Sequence, residues 1–383
     1  MGLSHLVTVA GVAASVSFII SMLIVASERW HGWLSHDHDL GGVQKVHHTA
    51  VPRIGGFAVV GGILASAMLF WKVWPGIISV SQIFAVLMLL LAAAPAIIAG
   101  MTEDMTKTVS VRARLMATIG SALIASTILG ATVTELDIWG VDMLLNVPAI
   151  ALLVTAVVVA GGANAINIID GFNGLAGSVI LIMCAALGAV GWQVGDNLIA
   201  ILGALGAGTT LGFLLVNYPR GKLFLGDGGA YFLGFWVAEI AVLLLARKPS
   251  VNAWQMLSIC AYPVIEVLFS IYRRRIVKKV SPGAPDALHL HALIYRRVVR
   301  KIIPAPTKLT WLRNATTAGL IAPWIAAAAA CGVLFGESIP VAIFMVLAQV
   351  VLYIAVYRRL VRGRWFRVTR AMPVTAQVKP EAY

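Results

Sequence analysis

The most constraining feature of this sequence is a series of apolar segments, each long enough to cross a lipid bilayer as a helix. A transmembrane helix needs about 20 consecutive apolar residues, and the 383-residue chain contains eleven such segments. Because 60% of the residues are hydrophobic and only 12% are charged, a soluble globular chain and a disordered chain are both excluded. The runs are continuous rather than alternating, so they indicate α-helices and not the strands of a barrel.

We therefore predict an all-α polytopic membrane protein. The predicted spans are 6–27, 56–74, 80–100, 115–133, 144–162, 174–192, 197–216, 229–246, 253–272, 315–335 and 339–357. The polar stretch 273–314 is predicted to be a loop. We predict one transmembrane domain over 1–358 and a basic tail over 359–383.

Basic residues are distributed unevenly between the two sides of this predicted bundle. Of the 29 Lys and Arg residues, 26 lie in alternate connections or in the C-terminal tail, and the exceptions are Lys72, Arg247 and Lys248. Basic residues concentrate on the cytoplasmic side of membrane proteins. This predicts a periplasmic N-terminus and a cytoplasmic C-terminus, and it places most of the polar motifs at the cytoplasmic face.

The first polar motif precedes the second predicted span and combines basic side chains with glycines. It consists of Lys45, His47, His48, Pro52, Arg53, Gly55 and Gly56. Basic side chains beside glycines that expose backbone N–H groups suit an anion such as phosphate. The alternative is a basic membrane anchor followed by a helix that starts after Pro52.

Two adjacent carboxylates, Glu103 and Asp104, directly follow the third predicted span, and the basic residues Lys107, Arg112 and Arg114 come next in the chain. Because the two carboxylates repel each other, they favour a divalent cation or a neighbouring lysine. The alternative is a solvated helix end stabilised by ion pairs between successive turns.

Asn164, Asn167 and Asp170 recur at every third position at the end of the fifth predicted span, and Asn173 follows among glycines. This spacing keeps the first three on one side of a helix. No Lys or Arg lies in this connection, so the Asp170 carboxylate favours a cation. The alternative is a turn in which Asn and Asp cap the backbone.

Asp227 stands among glycines at the start of the eighth predicted span, after Arg220 and Lys222. Such an aspartate can cap the helix. It can also hold Mg²⁺ against a pyrophosphate, since glycines let a ligand approach the backbone. The two basic residues suit the same anion.

His289 and His291 lie two residues apart in a basic loop that also contains Asp286, Arg296 and Arg297. This spacing differs from the i, i+4 pair of a zinc-binding helix. In a phosphate site the histidines could bind charge or shuttle protons. The alternative is a structural or solvated pair.

Taken in this order and on one face, the five motifs resemble the polyprenyl-phosphate N-acetylhexosamine-1-phosphate transferase family. That family includes undecaprenyl-phosphate GlcNAc-1-phosphate transferases and phospho-MurNAc-pentapeptide translocases. The resemblance covers about 45–297. Three positions depart from it: Glu103 replaces the first of paired aspartates, Asn173 replaces the acidic residue of bacterial members, and Ala292 replaces a histidine. These departures bear on sugar preference and turnover.

The resemblance implies an enzyme that transfers an N-acetylhexosamine-1-phosphate from a UDP-sugar to undecaprenyl phosphate and releases UMP. Such a step initiates cell-envelope polysaccharides such as the O-antigen of lipopolysaccharide. It implies Mg²⁺ as the cofactor, with Mn²⁺ as a substitute, and UDP-N-acetylhexosamine, undecaprenyl phosphate and membrane lipids as partners. It further implies a multi-pass location in the bacterial inner membrane, an active site on the cytoplasmic face, and a homodimer as one possible assembly.

The resemblance also implies roles for individual residues. The implied catalytic residues are Asp104, Glu103, Asp170 and His289. The implied substrate-binding residues are Lys45, His47, Arg53, Asn164, Asn173, Arg220, Lys222, His291, Arg296 and Arg297. The implied metal ligands are Asp227 and Asn167.

Three alternative functions stay open on the sequence. The first is the pentapeptide translocase reaction. The second is a transporter or flippase for a lipid-linked sugar, for which Glu239 and Glu266 are the only acidic residues deep within the predicted spans. The third is a membrane scaffold without catalysis.

Overall fold

The chain folds into a helical bundle, seen here in a computed structural model that describes residues 1–35, 51–277, 279, 286–304 and 310–363. Within these ranges no residue lies in a β-strand. The helices are α1 (Leu3–Ala26), α2 (Glu28–Ser35), α3 (Gly55–Lys72), α4 (Val80–Thr106), α5 (Val111–Leu129), α6 (Val141–Leu145), α7 (Pro148–Ile169), α8 (Leu175–Gln193), α9 (Asn197–Asn217), α10 (Gly226–Arg247), α11 (Ala253–Ile259), α12 (Ala261–Tyr272), α13 (Leu290–Ile294), α14 (Arg300–Ile302), α15 (Thr310–Phe335) and α16 (Ile339–Val361).

The predicted all-α membrane protein is confirmed. Ten helices of the described chain are long and apolar enough to cross a bilayer. An eleventh span arises if α11 and α12 are counted together, with α12 continued through a π-helical turn at Arg273–Val277, although the axis bends by 85° between them. The assignment of the two termini to opposite sides of the membrane stays a prediction.

Several predicted helix ends are wrong, and two of the errors fall on polar motifs. The third span was predicted to end at 100, but α4 continues to Thr106 and therefore includes Glu103 and Asp104. The fifth was predicted at 144–162, whereas α7 runs from Pro148 to Ile169 and includes Asn167. Proline is favoured in the first turn of a helix, which explains the later start. Hydropathy ends a span at the first polar residues, but a helix continues wherever tertiary contacts satisfy them.

Helix α10 occupies the centre of the bundle and brings the polar ends of other helices together. It packs against α3, α4, α5, α7, α8 and α9, and most of its residues are buried. Glycines allow its first turn to approach its neighbours closely. A Cβ atom on Gly100 of α4 would lie 2.5 Å from Cα of Gly228, and one on Gly56 of α3 would lie 2.6 Å from the nitrogen of Gly229. The start of α10 is therefore wedged between the start of α3 and the end of α4.

The polar stretch predicted as a loop over 273–314 is largely helical where it is described. It contains the π-helical turns Arg273–Val277 and Tyr295–Val299 as well as α13 and α14. The last helix, α16, reaches Val361 and so passes the predicted domain end at 358. The division into a domain and a tail stays a prediction, and 364–383 lie outside the described residues.

Candidate functional site

Asp104 caps the N-terminus of α10 from the end of α4. Its Oδ1 accepts a hydrogen bond from the backbone N–H of Asp227 at 2.8 Å, and its Oδ2 accepts one from that of Gly228 at 2.9 Å. The first N–H groups of a helix lack partners within the helix, and a carboxylate there is also favoured by the helix dipole. Gly226 has a φ of 75°, and a Cβ at this position would clash with Asp104. The sequence alternative of Asp227 as the helix cap is therefore wrong, because Asp104 fills that role.

Asp227 is the residue on which three other elements converge. Its Oδ1 accepts from Nδ2 of Asn167 at 3.1 Å and from the Arg53 guanidinium at 3.4 Å, while its Oδ2 pairs with Arg114. Arg53 also lies 3.7 Å from Asp104. The predicted site residues Arg53, Asp104, Asn167 and Asp227 thus meet in one place, although they are far apart in the sequence.

Glu103 has different contacts from its neighbour Asp104. Its Oε2 accepts a hydrogen bond from the backbone N–H of Val109 at 2.8 Å, and its Oε1 lies 4.0 Å from Arg114. Glu103 therefore holds the turn between α4 and α5 and flanks Arg114. The two adjacent carboxylates do not form a symmetrical pair.

Asp170 ends α7, half-buried, three residues after Asn167. Burial raises its pKa to about 7; the negative charges of Asp227 and Asp104 act in the same direction, and the charge of Arg53 opposes them. A carboxyl group with a pKa near neutrality changes its charge readily when a cation or a phosphate binds nearby.

His289 and His291 are buried and face Glu266, an acidic residue of the ninth predicted span. Nδ1 of His289 lies 3.0 Å from Oε1 of Glu266, and the two imidazole rings stack with centroids 5.3 Å apart. Burial lowers the pKa of His291 to about 4, so its ring is neutral at physiological pH. The His291 ring lies against Phe172 and beside Gly171, which brings this loop to the Asp170 turn.

Asp286 anchors the start of the segment 286–291, which carries both histidines and is called the histidine loop below. Its carboxylate pairs with the buried Arg273 of the π-helical turn that follows α12. Its Oδ1 accepts from the backbone N–H of Leu288 at 3.0 Å. The Leu288 hydrogen bond and the charge of Arg273 hold the pKa of Asp286 below its usual value, against the effect of burial. A basic residue predicted to lie in a loop is therefore a buried anchor of that loop.

Asn173 is buried in a network of amide side chains. Its backbone N–H donates to Oδ1 of Asn314 at 2.6 Å, and its side chain donates to the carbonyl of Pro219 at 3.1 Å. The next residue, Gly174, donates to Oδ1 of Asn217 at 2.7 Å. These bonds hold the turn after Asp170, so at least part of the role of Asn173 is structural.

The other predicted residues make different contacts, are exposed, or lie outside the described residues. Asn164 donates to the carbonyl of Ala160 within its own helix. Arg220 packs over the ring of Trp311, with its guanidinium 5.8 Å from the ring centre. Lys222, Arg296 and Arg297 are exposed. Lys45, His47 and His48 lie outside the described residues, so the first half of the first motif stays a prediction.

Sequence reasoning missed two residues of this site, Arg114 and Glu266. Arg114 follows the carboxylate motif and was grouped with its basic neighbours; no local signal separated it from Arg112. Glu266 lies within an apolar span, where it was weighed as evidence for transport. A buried acidic residue needs a partner, but nothing in the local sequence identifies His289 and His291 as the partners of Glu266.

The donors around Asp227 fit a hard divalent cation bound together with a phosphate ligand. Among the described residues no group of three or more His, Cys, Asp or Glu side chains is arranged to hold a metal ion. Mg²⁺, however, is commonly bound by one or two carboxylates plus substrate phosphates and water. Asp227 carries a carboxylate and Asn167 an amide oxygen, which are the ligand types that such a site uses. The assignment of these two residues as metal ligands stays a prediction.

The central part of the chain matches a known family of transferases. Residues 86–245 match the family described as Glycosyl transferase family 4. This match covers less than half of the chain. It contains Asp104, Arg114, Asn167 and Asp227, whereas Arg53 and the histidine loop lie outside it.

Curated relatives point to one subgroup of glycosyl transferase family 4. The chain is 28% identical over 252 residues to a probable undecaprenyl-phosphate N-acetylglucosaminyl 1-phosphate transferase of Bacillus subtilis, covering 65% of this chain and 66% of the relative. It is 27% identical over 258 residues to the undecaprenyl-phosphate α-N-acetylglucosaminyl 1-phosphate transferase of Escherichia coli K12, covering 66% and 67%.

A third relative, from Mycobacterium leprae, is a decaprenyl-phosphate N-acetylglucosaminephosphotransferase. It is 29% identical over 296 residues, covering 67% of this chain and 71% of the relative. The matches thus span about two thirds of each relative. The resemblance to polyprenyl-phosphate N-acetylhexosamine-1-phosphate transferases is confirmed by the glycosyl transferase family 4 match and by these relatives.

Proposed function

We propose that this protein transfers an N-acetylhexosamine-1-phosphate from a UDP-sugar to a polyprenyl phosphate, with undecaprenyl phosphate as the acceptor and UMP as the second product. The observation that carries the proposal is the meeting of Asp104, Asn167 and Asp227 with two guanidinium groups beside an apolar groove. The undecaprenyl-phosphate transferases to which the chain is similar give it independent support.

The groove would hold the hydrocarbon tail of the acceptor. It encloses about 560 Å³ between α7, α10 and the bent pair α11–α12, and its lining is almost entirely apolar. Ile166 lines it, and Asn167 is the next residue in the chain. The residues around Asp227 are called the polar cluster below; they are Arg53, Asp104, Arg114, Asn167 and Asp227. A phosphate at this end of the groove would therefore reach the polar cluster while its tail stays in an apolar environment.

The reaction brings together two anions, so the site must supply positive charge. An oxygen of the acceptor phosphate attacks the phosphorus that carries the sugar. The bond from that phosphorus to the bridging oxygen breaks, and UMP leaves with the bonding electrons. Arg53 and Arg114 are placed to bind phosphate oxygens through paired N–H donors.

Asp104 would orient the acceptor phosphate indirectly, because its two oxygens are already bound to the start of α10. A phosphate monoester is largely ionised at neutral pH, so positioning contributes more than proton removal. Asp170 and the turn after it would contact the nucleotide or the sugar. His289 and His291 would hold a phosphate at the opposite side of the Asp170 turn.

Asp227 and Asn167 would hold Mg²⁺, or Mn²⁺ in its place. When bound, the ion would neutralise and polarise the pyrophosphate. We further propose that the site faces the cytoplasm of the bacterial inner membrane, because 26 of 29 basic residues lie on the predicted cytoplasmic side. UDP-sugars are then delivered from the same compartment.

The test is release of UMP by the purified protein in detergent, with undecaprenyl phosphate, Mg²⁺ and a panel of UDP-sugars that includes UDP-MurNAc-pentapeptide. Asp227→Ala and Asp104→Asn should each reduce transfer at least about 100-fold. Glu135→Gln, which changes an exposed carboxylate in another connection, is the matched control and should retain full activity. Absence of UMP release with every UDP-sugar would refute the proposal. Full activity in Asp227→Ala would refute the site.

A further inference from the structure

Glu266 is a buried acidic residue that binds the segment carrying His289 and His291. Its Oε1 lies 3.0 Å from Nδ1 of His289, and both of its oxygens accept from the backbone N–H of Leu290 at 3.2 Å. Its Oε2 lies 4.0 Å from Nδ1 of His291. Only 1% of the side chain is exposed.

The position of Glu266 in the fold explains how it reaches this loop. It lies on α12, the second limb of the pair that bends by 85°. The bend turns α12 away from the direction of α11, and Glu266 of α12 reaches the backbone N–H of Leu290 at the start of α13. The tyrosines Tyr262 and Tyr353 also lie close enough to feel its charge. Burying a carboxylate is expensive unless it is well bonded, and here the bonds are to His289 and Leu290.

A carboxylate oxygen can only accept a hydrogen bond, so Glu266 determines which nitrogen of His289 carries a proton. Nδ1 must be the donor, and Nε2 is left to face the rest of the loop. Asp286 is the other acidic group near this ring, 3.8 Å from Nε2. The orientation passes to His291 through ring stacking, with an interplanar angle of 7°.

His291 completes the path to the proposed site. The ring centroids of His291 and Phe172 are 5.6 Å apart. A Cβ atom on Gly171, next to Asp170, would lie 3.7 Å from Nε2 of His291. Glu266 therefore supports, from within the apolar bundle, two imidazole rings that border the Asp170 turn.

We infer that Glu266 is a positioning residue for the transferase reaction: it fixes the tautomer and the ring orientation of His289, and the stacked His289 ring in turn orients the ring of His291, for binding a substrate phosphate. This inference rests on the proposed function for its catalytic part, but the tautomer of His289 does not depend on any reaction. In metal sites, a carboxylate that binds the second nitrogen of a ligating histidine contributes about 10- to 100-fold to metal affinity or activity.

The experiment compares Glu266→Leu and Glu266→Gln with the wild type, using full-length protein labelled with ¹⁵N-histidine in detergent. The His289 signals are identified by their loss in His289→Gln. Glu239→Leu is the matched control, because Glu239 is equally buried but neither of its carboxyl oxygens has a hydrogen-bond partner within the described chain. The second measurement is kcat and KM for UMP release.

We expect Glu266→Leu to convert His289 from a single Nδ1–H tautomer to a mixture and to lower kcat/KM about 10- to 100-fold. Glu266→Gln should retain the Nδ1–H tautomer and recover part of the activity, because its amide oxygen still accepts. It also serves as the test variant if the leucine variant does not fold. Glu239→Leu should leave both measurements unchanged.

Two results would overturn the inference while the proposed function stands: unchanged His289 signals in Glu266→Leu, or altered signals with wild-type kinetics. If the wild type shows no transfer at all, the proposed function fails. The nitrogen spectra then still decide whether Glu266 sets the His289 tautomer.

Discussion

Charge at Asp227 is balanced by two arginines that come from different elements. Arg53 precedes α3 and Arg114 lies in the first turn of α5, and both bind the same carboxylate. A guanidinium binds carboxylate and phosphate with the same fork of N–H donors. In the proposed reaction, each arginine would turn from Asp227 to a substrate phosphate. Asp227 thus holds the guanidinium groups of Arg53 and Arg114 close together in the candidate site.

Replacing Arg114 should impair the reaction through substrate binding and rate together. In Arg114→Gln the side chain that bridges Glu103 and Asp227 loses its charge, and we expect kcat/KM to fall about 10- to 100-fold, the loss of one charged hydrogen-bonding group. Initial rates of UMP release over a range of UDP-sugar concentrations measure it. Arg112→Gln, an exposed position two residues earlier, should behave as wild type. Equal rates in both variants would contradict this role.

The raised pKa of Asp170 makes a prediction about stability in the absence of metal. In the folded protein this pKa is about 7, compared with an ordinary value of 3.8. Between these values the folded chain keeps a proton that the unfolded chain loses, so stability falls as pH rises through this window. Asp170→Asn has no such group. Its melting temperature should match the wild type near pH 4 and exceed it by about 2 °C or more at pH 8.

Thermal unfolding in detergent with EDTA, followed at several pH values, measures this difference for Asp170. The matched control is Glu135→Gln, because Glu135 is exposed. Asp142→Asn would not serve, since Asp142 binds backbone N–H groups. Parallel curves for the wild type and Asp170→Asn from pH 4 to 8 would show that Asp170 ionises normally.

At the scale of the helix, the site depends on how closely α4 approaches α10. Asp104 can reach the N–H groups of Asp227 and Gly228 only because Gly100, one turn earlier, lies against the same backbone. The contact is between two main chains, which cannot turn aside as a flexible side chain can. The helix cap and the candidate site therefore form or fail together.

Gly100→Ala tests this coupling between α4 and α10. The added Cβ would lie 2.5 Å from Cα of Gly228 and 2.6 Å from its nitrogen, so the helices must separate. A displacement of about 1 Å at a catalytic group can lower the rate about 100-fold, and we expect a loss of that size in kcat. The matched control is Gly120→Ala, whose Cβ would meet nothing within 4 Å. Wild-type rates in Gly100→Ala would show that the site tolerates a wider spacing.

Helix existence could be predicted from the sequence because it depends on local composition, but helix ends at the site could not. The apolar runs predicted α4 and α7, yet both continue past the predicted ends. Their terminal polar residues are satisfied by other helices: Asp104 by α10, and Asn167 by Asp227. Nothing in the local sequence contains that information.

The candidate site could be predicted only in part, because local motifs are visible in the sequence and tertiary contacts are not. The motifs indicated Asp104, Asn167 and Asp227, which the structure brings together. They did not separate Arg114 from its neighbours or connect Glu266 to the histidines, because both roles are defined by tertiary contacts. The order of the motifs could be recognised from the family pattern, but the side chains that contact each motif are seen only in the fold.

At the scale of the whole molecule, the distribution of charge and the position of the apolar groove are related. The basic pair Arg247 and Lys248 is the main exception to the predicted asymmetry, and Arg247 is neutralised by Asp196 at 2.7 Å. That ion pair joins the end of α10 to the start of α9. With this exception accounted for, the polar cluster lies at one end of the bundle while the groove follows its apolar flank.

Narrowing the groove should affect one substrate and not the other. Ala241 of α10 lines the groove, and Ala241→Trp would fill part of its 560 Å³. Each buried CH₂ group of a lipid tail contributes about 0.8 kcal/mol, so displacing two of them raises the KM for the polyprenyl phosphate roughly tenfold. The KM for the UDP-sugar should not change, because its charged groups bind at the polar cluster.

The matched control for the groove is Leu153→Trp, which adds the same side chain to α7 at an exposed position outside the lining. Initial rates measured against each substrate in turn, in detergent, separate the two KM values. A higher KM for the UDP-sugar alone would mean that the groove shapes the nucleotide site instead. Unchanged values for both substrates would mean that the acceptor tail lies elsewhere, and the proposed arrangement of lipid and polar cluster would have to be abandoned.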